Sequence, residues 1–139
     1  MNTAVKILLA DDDPEDRMIM ADTFKELKLS NVIHFVENGE SILTYLDSIY
    51  ETYPLPSLIV LDLNMPRMNG TQTLKYLKAN DRYRTIPVII FSTSINVFER
   101  EECLKTGAVS YIVKPVTYKE CLDTAKTFYD YSLNGQFSA

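Results

Sequence analysis

Five short apolar runs recur along the chain, Val5 to Ala10, Val32 to Val36, Leu58 to Leu61, Val88 to Phe91 and Val109 to Val113. They are nearly continuous rather than alternating, and β-branched residues are frequent in them, the pattern of strands in a parallel sheet covered on both faces. The stretches between them are long enough for crossover helices. Ile42, Tyr45, Leu46 and Ile49 recur at helical spacing, as do Tyr118, Cys121, Leu122, Ala125 and Phe128, so each of these segments has one face to bury. Helix starts have local causes as well. Asp13-Pro14 places a capping carboxylate before a proline of the first turn, and Asn69-Gly70 and Asn96 can begin later helices. Strand and helix thus alternate five times, which predicts an open, doubly wound α/β fold: a five-stranded parallel sheet with five helices. The strand order 2-1-3-4-5 is an expectation at the level of the fold.

A length of 139 residues allows about one domain. With 46% apolar and 24% charged residues the chain has the composition of a domain that folds alone. No apolar run approaches the roughly 20 residues that cross a bilayer, and the first residues lack the charged-then-apolar pattern of a signal peptide, so a cytoplasmic protein with no membrane partner is expected. Cys103 and Cys121 form neither a Cys-x-x-Cys pair nor a cluster with histidine, and read as free buried thiols. The net charge is −5, and the 14 basic residues never occur three in succession, which argues against direct DNA binding.

The polar residues at the ends of these runs carry the chemistry: Asp11, Asp12 and Asp13, then Glu37, then Asp62, then Ser92 and Thr93, then Lys114. In a parallel sheet these carboxyl ends share one edge, where ligands of open α/β sheets bind. Asp11, Asp12 and Asp62 would bring three negative charges against the one positive charge of Lys114, leaving about two uncompensated in a partly buried cleft. A divalent cation resolves the conflict, and an all-oxygen ligand set favours Mg²⁺. A carboxylate beside that ion can act as a nucleophile toward phosphorus while a lysine stabilises the equatorial oxygens, and Asp62, at the centre of the edge, is the expected nucleophile. Taken alone, each residue has a plainer reading. Asp13 is a helix cap, Asp11 and Asp12 are solvated loop acids, Ser92 is a strand-end hydroxyl and Lys114 a surface amine. Their conjunction at four strand ends is what points to a site.

From Ile7 to about Tyr129 these residues resemble the receiver domain of bacterial response regulators, the CheY-like family with its flavodoxin-like fold. The resemblance rests on the runs Ile7 to Asp13, Leu58 to Gly70, Pro87 to Ser94 and Gly107 to Pro115, in the order and spacing of that family. It implies that Asp11, Asp12, Asp62 and the backbone carbonyl of Asn64 hold Mg²⁺. It further implies that Asp62 takes a phosphoryl group from the phosphohistidine of a sensor histidine kinase or a phosphotransfer protein. Ser92 matches the switch hydroxyl, Lys114 the lysine that pairs with a phosphoryl oxygen, and Tyr111 the switch aromatic. The resemblance also implies a cis bond between Lys114 and Pro115. Asn64 and Ser94, at positions that tune lifetime in the family, are small and polar and imply a phospho-Asp of intermediate lifetime.

The segment Asn96 to Lys105 has a weak apolar stripe and should pack loosely. With the last strand and the last helix it forms the family's usual signalling face, which implies a downstream protein target there, and either a monomer or a homodimer formed on phosphorylation. Tyr118, Tyr129, Tyr131 and Phe137 lie near that face and read mainly as core or terminal packing. The receiver is expected over 4–131 with a short tail at 132–139 and no output domain. Receivers with a Leu-Asp-Leu-Asn-Met-Pro motif that stand alone are, by analogy, often paired with phytochrome-like or other hybrid kinases. Two other functions are weighed. An Asp-nucleophile phosphatase needs a second Asp two residues after the first, where this chain has Asn64. A phosphorylation-independent scaffold would lack one of the acid, hydroxyl or lysine residues. His34, inside an apolar strand, reads as a core or sheet-face residue rather than a phosphodonor. The chain would catalyse its own phosphorylation and dephosphorylation but turn over no metabolic substrate, so it is not read as an enzyme.

Overall fold

The computed structural model describes residues 5–93 and 95–135. The elements alternate throughout: β1 (Ile7–Ala10), α1 (Pro14–Glu26), β2 (Ile33–Val36), α2 (Gly39–Ile49), β3 (Leu58–Asp62), α3 (Gly70–Ala79), β4 (Val88–Ser92), α4 (Val97–Thr106), β5 (Ser110–Val113) and α5 (Tyr118–Asn134). The five strands are parallel in the order β2-β1-β3-β4-β5, as the alternation and the resemblance led one to expect.

Burial follows position in the sheet. The inner strands β1, β3 and β4 are buried along their whole length, whereas the edge strands β2 and β5 are only partly covered. That is why the continuous apolar runs are strongest in the middle of the sheet. Two cores lie on its two faces. Leu8, Ile59, Leu61, Val88 and Ile90 meet α2, α3 and α4 through Ile42, Leu46, Leu74, Leu77 and Cys103. Ile7, Leu9, Val60, Ile89 and Phe91 meet α1 and α5 through Met20, Phe24, Ala125 and Phe128.

The helix starts are built as their sequences require. The Asp13 carboxylate accepts from Glu15 N at 2.9 Å with Pro14 in the first turn, and Asn38 accepts from Ser41 N at 2.9 Å. Asn69 and Gln72 form a reciprocal capping box on α3, and Thr117 and Glu120 form one on α5. Gly107 closes α4 at φ 126, a conformation that suits glycine.

Some expectations are corrected. Strands β1, β2 and β5 begin later than the apolar runs, and β3 and β4 each extend by one residue to include Asp62 and Ser92. These two polar residues continue the ladder, Asp62 opposite Phe91 and Ser92 opposite Val113. The Lys114–Pro115 bond is trans, not cis, since no described peptide bond is cis. Lys114 N donates to Ser92 O at 2.6 Å, so the pairing of β5 with β4 carries Lys114 to the edge of the sheet without that bend. His34 is exposed on β2, its ring stacked on Tyr45 at 4.4 Å between centroids. Tyr131 is buried and Tyr129 packs against the core, while Tyr118 stands 60% exposed. Ser94, Phe137 and the start of the chain through Ala4 lie outside the described residues.

Candidate functional site at the carboxyl edge of the sheet

Two strand ends meet the ammonium that follows a third, and a fourth end adjoins them. Asp11 follows β1, Asp62 ends β3, Ser92 ends β4 and Lys114 follows β5, and Asp11, Asp62 and Ser92 are all buried. Lys114 Nζ lies 2.8 Å from Asp11 Oδ2, 2.9 Å from Asp16 Oδ2 and 3.2 Å from Asp62 Oδ2. A lysine has three N–H donors, so these contacts use its full capacity. The carboxylates are held from their other sides too. Asp11 Oδ1 accepts from Asp13 N at 3.0 Å, and Asp62 Oδ1 accepts from Asn64 N at 3.2 Å. Arg17 reaches back from α1 to the Asp11 carbonyl at 2.7 Å and pairs loosely with Glu37 at 3.8 Å, tying the ends of β1 and β2 together.

Gly70 explains how α3 comes so near the cleft. A Cβ there would stand 2.4 Å from the Asp62 carbonyl oxygen and 2.9 Å from Leu63 Cα, so only glycine lets the start of α3 rest on the end of β3. Gly70 N donates to Leu63 O at 3.0 Å and closes the loop that comes after Asp62. Arg67, at φ 65, makes the left-handed corner of that loop and pairs with Glu40 at 3.4 Å.

Charge decides the chemistry. Burial pushes the Asp62 carboxyl up to about 6; the Asp11 charge adds to this, and Lys114 and the Asn64 N–H oppose it. Burial acts to lower Lys114, but the hydrogen bonds to Asp11 and Asp16 and the charges of Asp11 and Asp62 outweigh it and hold the amine above its ordinary value. Lys114 is therefore a fixed cation. Asp11, Asp12 and Asp62 offer carboxylate oxygens that all lie within 4.8 Å of one another, Asp12 being exposed and the other two buried. An all-oxygen group of this size, with more negative than positive charge, fits a small hard cation and does not fit zinc or copper.

The residues singled out from sequence are thus largely brought together: Asp11, Asp12, Asp62 and Lys114 share the cleft, and Ser92 lies on the adjoining strand end. Tyr111, on β5, is half-buried against the core shared with α4. Asp13 serves as the helix cap of its plainer reading. Glu37 is exposed and takes no part beyond its contact with Arg17. Asp16 was not anticipated. It sits in the first turn of α1, where an acid is normally read as complementing the helix dipole. Its place three residues after the Asp13 cap, at the end of α1 nearest the strand ends, was the available signal.

Comparison with known proteins agrees with this geometry. Residues 7–126 match the model of the response regulator receiver domain. The chain is 34% identical to the chemotaxis protein CheY1 of Helicobacter pylori strain J99, over 81% of this chain and 87% of that protein. Among solved structures it is similar to the phosphorylated cyanobacterial phytochrome response regulator RcpA, with a TM-score of 0.82, 25% identity, and coverage of 96% of this chain and 97% of that one. It is also similar to the Mn²⁺-bound form of response regulator Rcp1, with a TM-score of 0.77, 25% identity, and coverage of 96% and 98%. Among the described residues no helix is long and apolar enough to cross a membrane. With a five-stranded 2-1-3-4-5 sheet, an acidic cleft at its carboxyl edge and a family match over most of its length, the chain belongs to the response regulator receiver family and is a regulator in phosphorelay signal transduction.

Proposed function

We propose that Asp62 is the phosphoryl acceptor of this receiver and that Asp11, Asp12, Asp62 and the backbone carbonyl of Asn64 hold Mg²⁺ beside it. The observation that carries the reading is the Lys114 ammonium, 3.2 Å from Asp62 Oδ2 in a cleft whose other wall is the Asp11 and Asp12 pair. A relative solved with Mn²⁺ and another solved phosphorylated support it. When bound, Mg²⁺ supplies positive charge to the oxygens of the transferring group and brings its net charge within reach of an anionic nucleophile.

This chain's own residues do the rest. A carboxylate oxygen of Asp62 attacks phosphorus as the bond from phosphorus to the kinase histidine nitrogen breaks, and Lys114 donates to a phosphoryl oxygen. The Ser92 hydroxyl, on the neighbouring strand end, takes another. Tyr111 is the aromatic that moves with it, and the α4, β5 and α5 face carries the change to a downstream protein or to a second copy of the chain. The phosphodonor is a sensor histidine kinase or phosphotransfer protein, of a phytochrome-like or other hybrid type by analogy with RcpA. The chain catalyses only its own phosphorylation and autodephosphorylation, and acts in the cytoplasm.

Intact mass after incubation with Mg²⁺ and acetyl phosphate tests this reading. Wild type should gain one phosphoryl group and Asp62→Asn none. A gain that survives in Asp62→Asn would move the acceptor elsewhere. No gain by wild type, together with no change on adding beryllofluoride, would leave a scaffold that is not phosphorylated.

A further inference from the structure

Lys114 reaches the cleft on a flexible four-carbon stem, and an ammonium turns freely about its last bond. Two of its contacts come from residues other than the proposed acceptor: Asp11, after β1, at 2.8 Å, and Asp16, in the first turn of α1, at 2.9 Å. The third, and longest, goes to Asp62 at 3.2 Å. Asp16 differs from Asp11 in one respect: its carboxylate is not among the three that cluster closely enough to share a metal ion. Its carboxylate is therefore left to Lys114, whereas Asp11 would serve the lysine and a cation together. The stem also has room to leave. A cavity of about 40 Å³ lies beside it, lined by Asp16, Ile19, Met20, Phe91, Lys114 and Pro115.

We propose that Asp16 is a positioning residue for phosphoryl transfer: with Asp11 it fixes two of the three hydrogens of Lys114, so that the third is aimed at the oxygen of Asp62 and then at the phosphoryl oxygen that takes its place. This rests on the reading of Asp62 as acceptor. The role needs an oxygen acceptor at position 16, not a charge. Lys114 stabilises the same transition state whether the phosphoryl arrives or leaves, so loss of Asp16 slows both directions.

Phosphorylation by acetyl phosphate and the subsequent decay of the phosphoprotein are followed by intact mass for wild type, Asp16→Ala, Asp16→Asn, Lys114→Ala and the double variant Asp16→Ala/Lys114→Ala. Alanine favours the helix that holds position 16, so the variant should fold, and its thermal midpoint is checked against wild type. The expected result is that Asp16→Ala slows both phosphorylation and decay on the order of threefold to tenfold. Asp16→Asn, which retains a carbonyl oxygen at the same reach, should recover most of the rate. In the Lys114→Ala background Asp16→Ala should cost nothing further, because its effect passes through the lysine. A merely structural role would move neither the asparagine rescue nor that dependence. Rates unchanged or raised in both Asp16 variants overturn the inference and make Asp16 a neutral or competing charge; so does an equal loss with and without Lys114. If wild type itself gains no phosphoryl group, the acceptor reading fails and this inference with it, whereas a wild-type gain with unchanged Asp16→Ala rates sinks this inference alone.

Discussion

Helices α3 and α4 are alike in length, in their caps and in the face of the sheet they cover. Each has ten residues, each starts on an asparagine cap, Asn69 or Asn96, and both lie on the same face of the sheet. They differ in what they bury. Helix α3 sinks Gly70, Thr73, Leu74 and Leu77 into the core, and its cap is reinforced by the Gln72 side chain. Helix α4 buries only Cys103 and leaves Val97 and Phe98 64% and 74% exposed. The contrast maps onto the site. Helix α3 rests on the backbone of Asp62, where the proposed chemistry needs fixed geometry. Helix α4 follows β4, the strand that Ser92 ends, and the proposed switch there needs an element that moves at low cost.

The largest effect that would test this difference is on the core of α3. Leu74 is fully buried, so Leu74→Ala should lower the unfolding free energy by about 3 kcal/mol, read from denaturant midpoints. A loss below about 1 kcal/mol would mean that α3 is no better anchored than its neighbour. Gly70→Ala comes next. Its Cβ would meet the Asp62 carbonyl, so α3 must back away from β3; about 2 kcal/mol of stability should go, together with much of the phosphorylation rate. If that variant kept full phosphorylation while losing stability, the seating of α3 on Asp62 would matter to the fold alone.

How far the sequence foretold this contrast depends on the residue. The weak stripe of Val97, Phe98 and Leu104 already marked α4 as loosely held, and the near-continuous apolar runs marked the inner strands. Asp11, Asp12, Asp62 and Lys114 were legible because each comes after an apolar run, and parallel pairing forces such positions to one edge. Asp16 was not, because a helix side chain reaches the cleft through an angle that spacing does not report. The Lys114–Pro115 bond was expected to be cis and is trans; a local conformation is set by the pairing around it rather than by the two residues alone. Tyr83 was equally silent. It lies between α3 and β4, yet is fully buried and bonds Asp47 of α2 across 36 positions.

Tyr83 offers the third test, on the anchored side of the molecule. Burial first, and then its bond to the Asp47 carboxylate, raise its phenol to about 12. The neutral phenol is the form the fold favours, so the native state keeps a proton that the unfolded chain releases near pH 10. The stabilisation is complete below about pH 10 and is lost between 10 and about 12, at no more than about 1.4 kcal/mol per pH unit. Urea midpoints at pH 9 and pH 11 should show the drop in wild type and a smaller one in Tyr83→Phe. Equal drops would place the alkaline sensitivity in other groups.

The smallest expected effect sharpens the comparison most. Phe98 is large and apolar, a residue type whose truncation in a core costs several kcal/mol, yet at 74% exposure it has little burial to lose. Phe98→Ala should therefore change stability by less than about 0.5 kcal/mol, and amides of α4 should exchange with solvent faster than those of α3. A small effect on the fold beside a marked effect on signalling would identify Phe98 as a contact kept for a partner. The contrary result is as informative. A loss above about 1 kcal/mol would mean that Phe98 is covered in solution, and the single chain offers nothing to cover it among the described residues. A second copy would then be the cover, and the loss would grow with protein concentration, because an interface that binds only the folded state stabilises it by mass action.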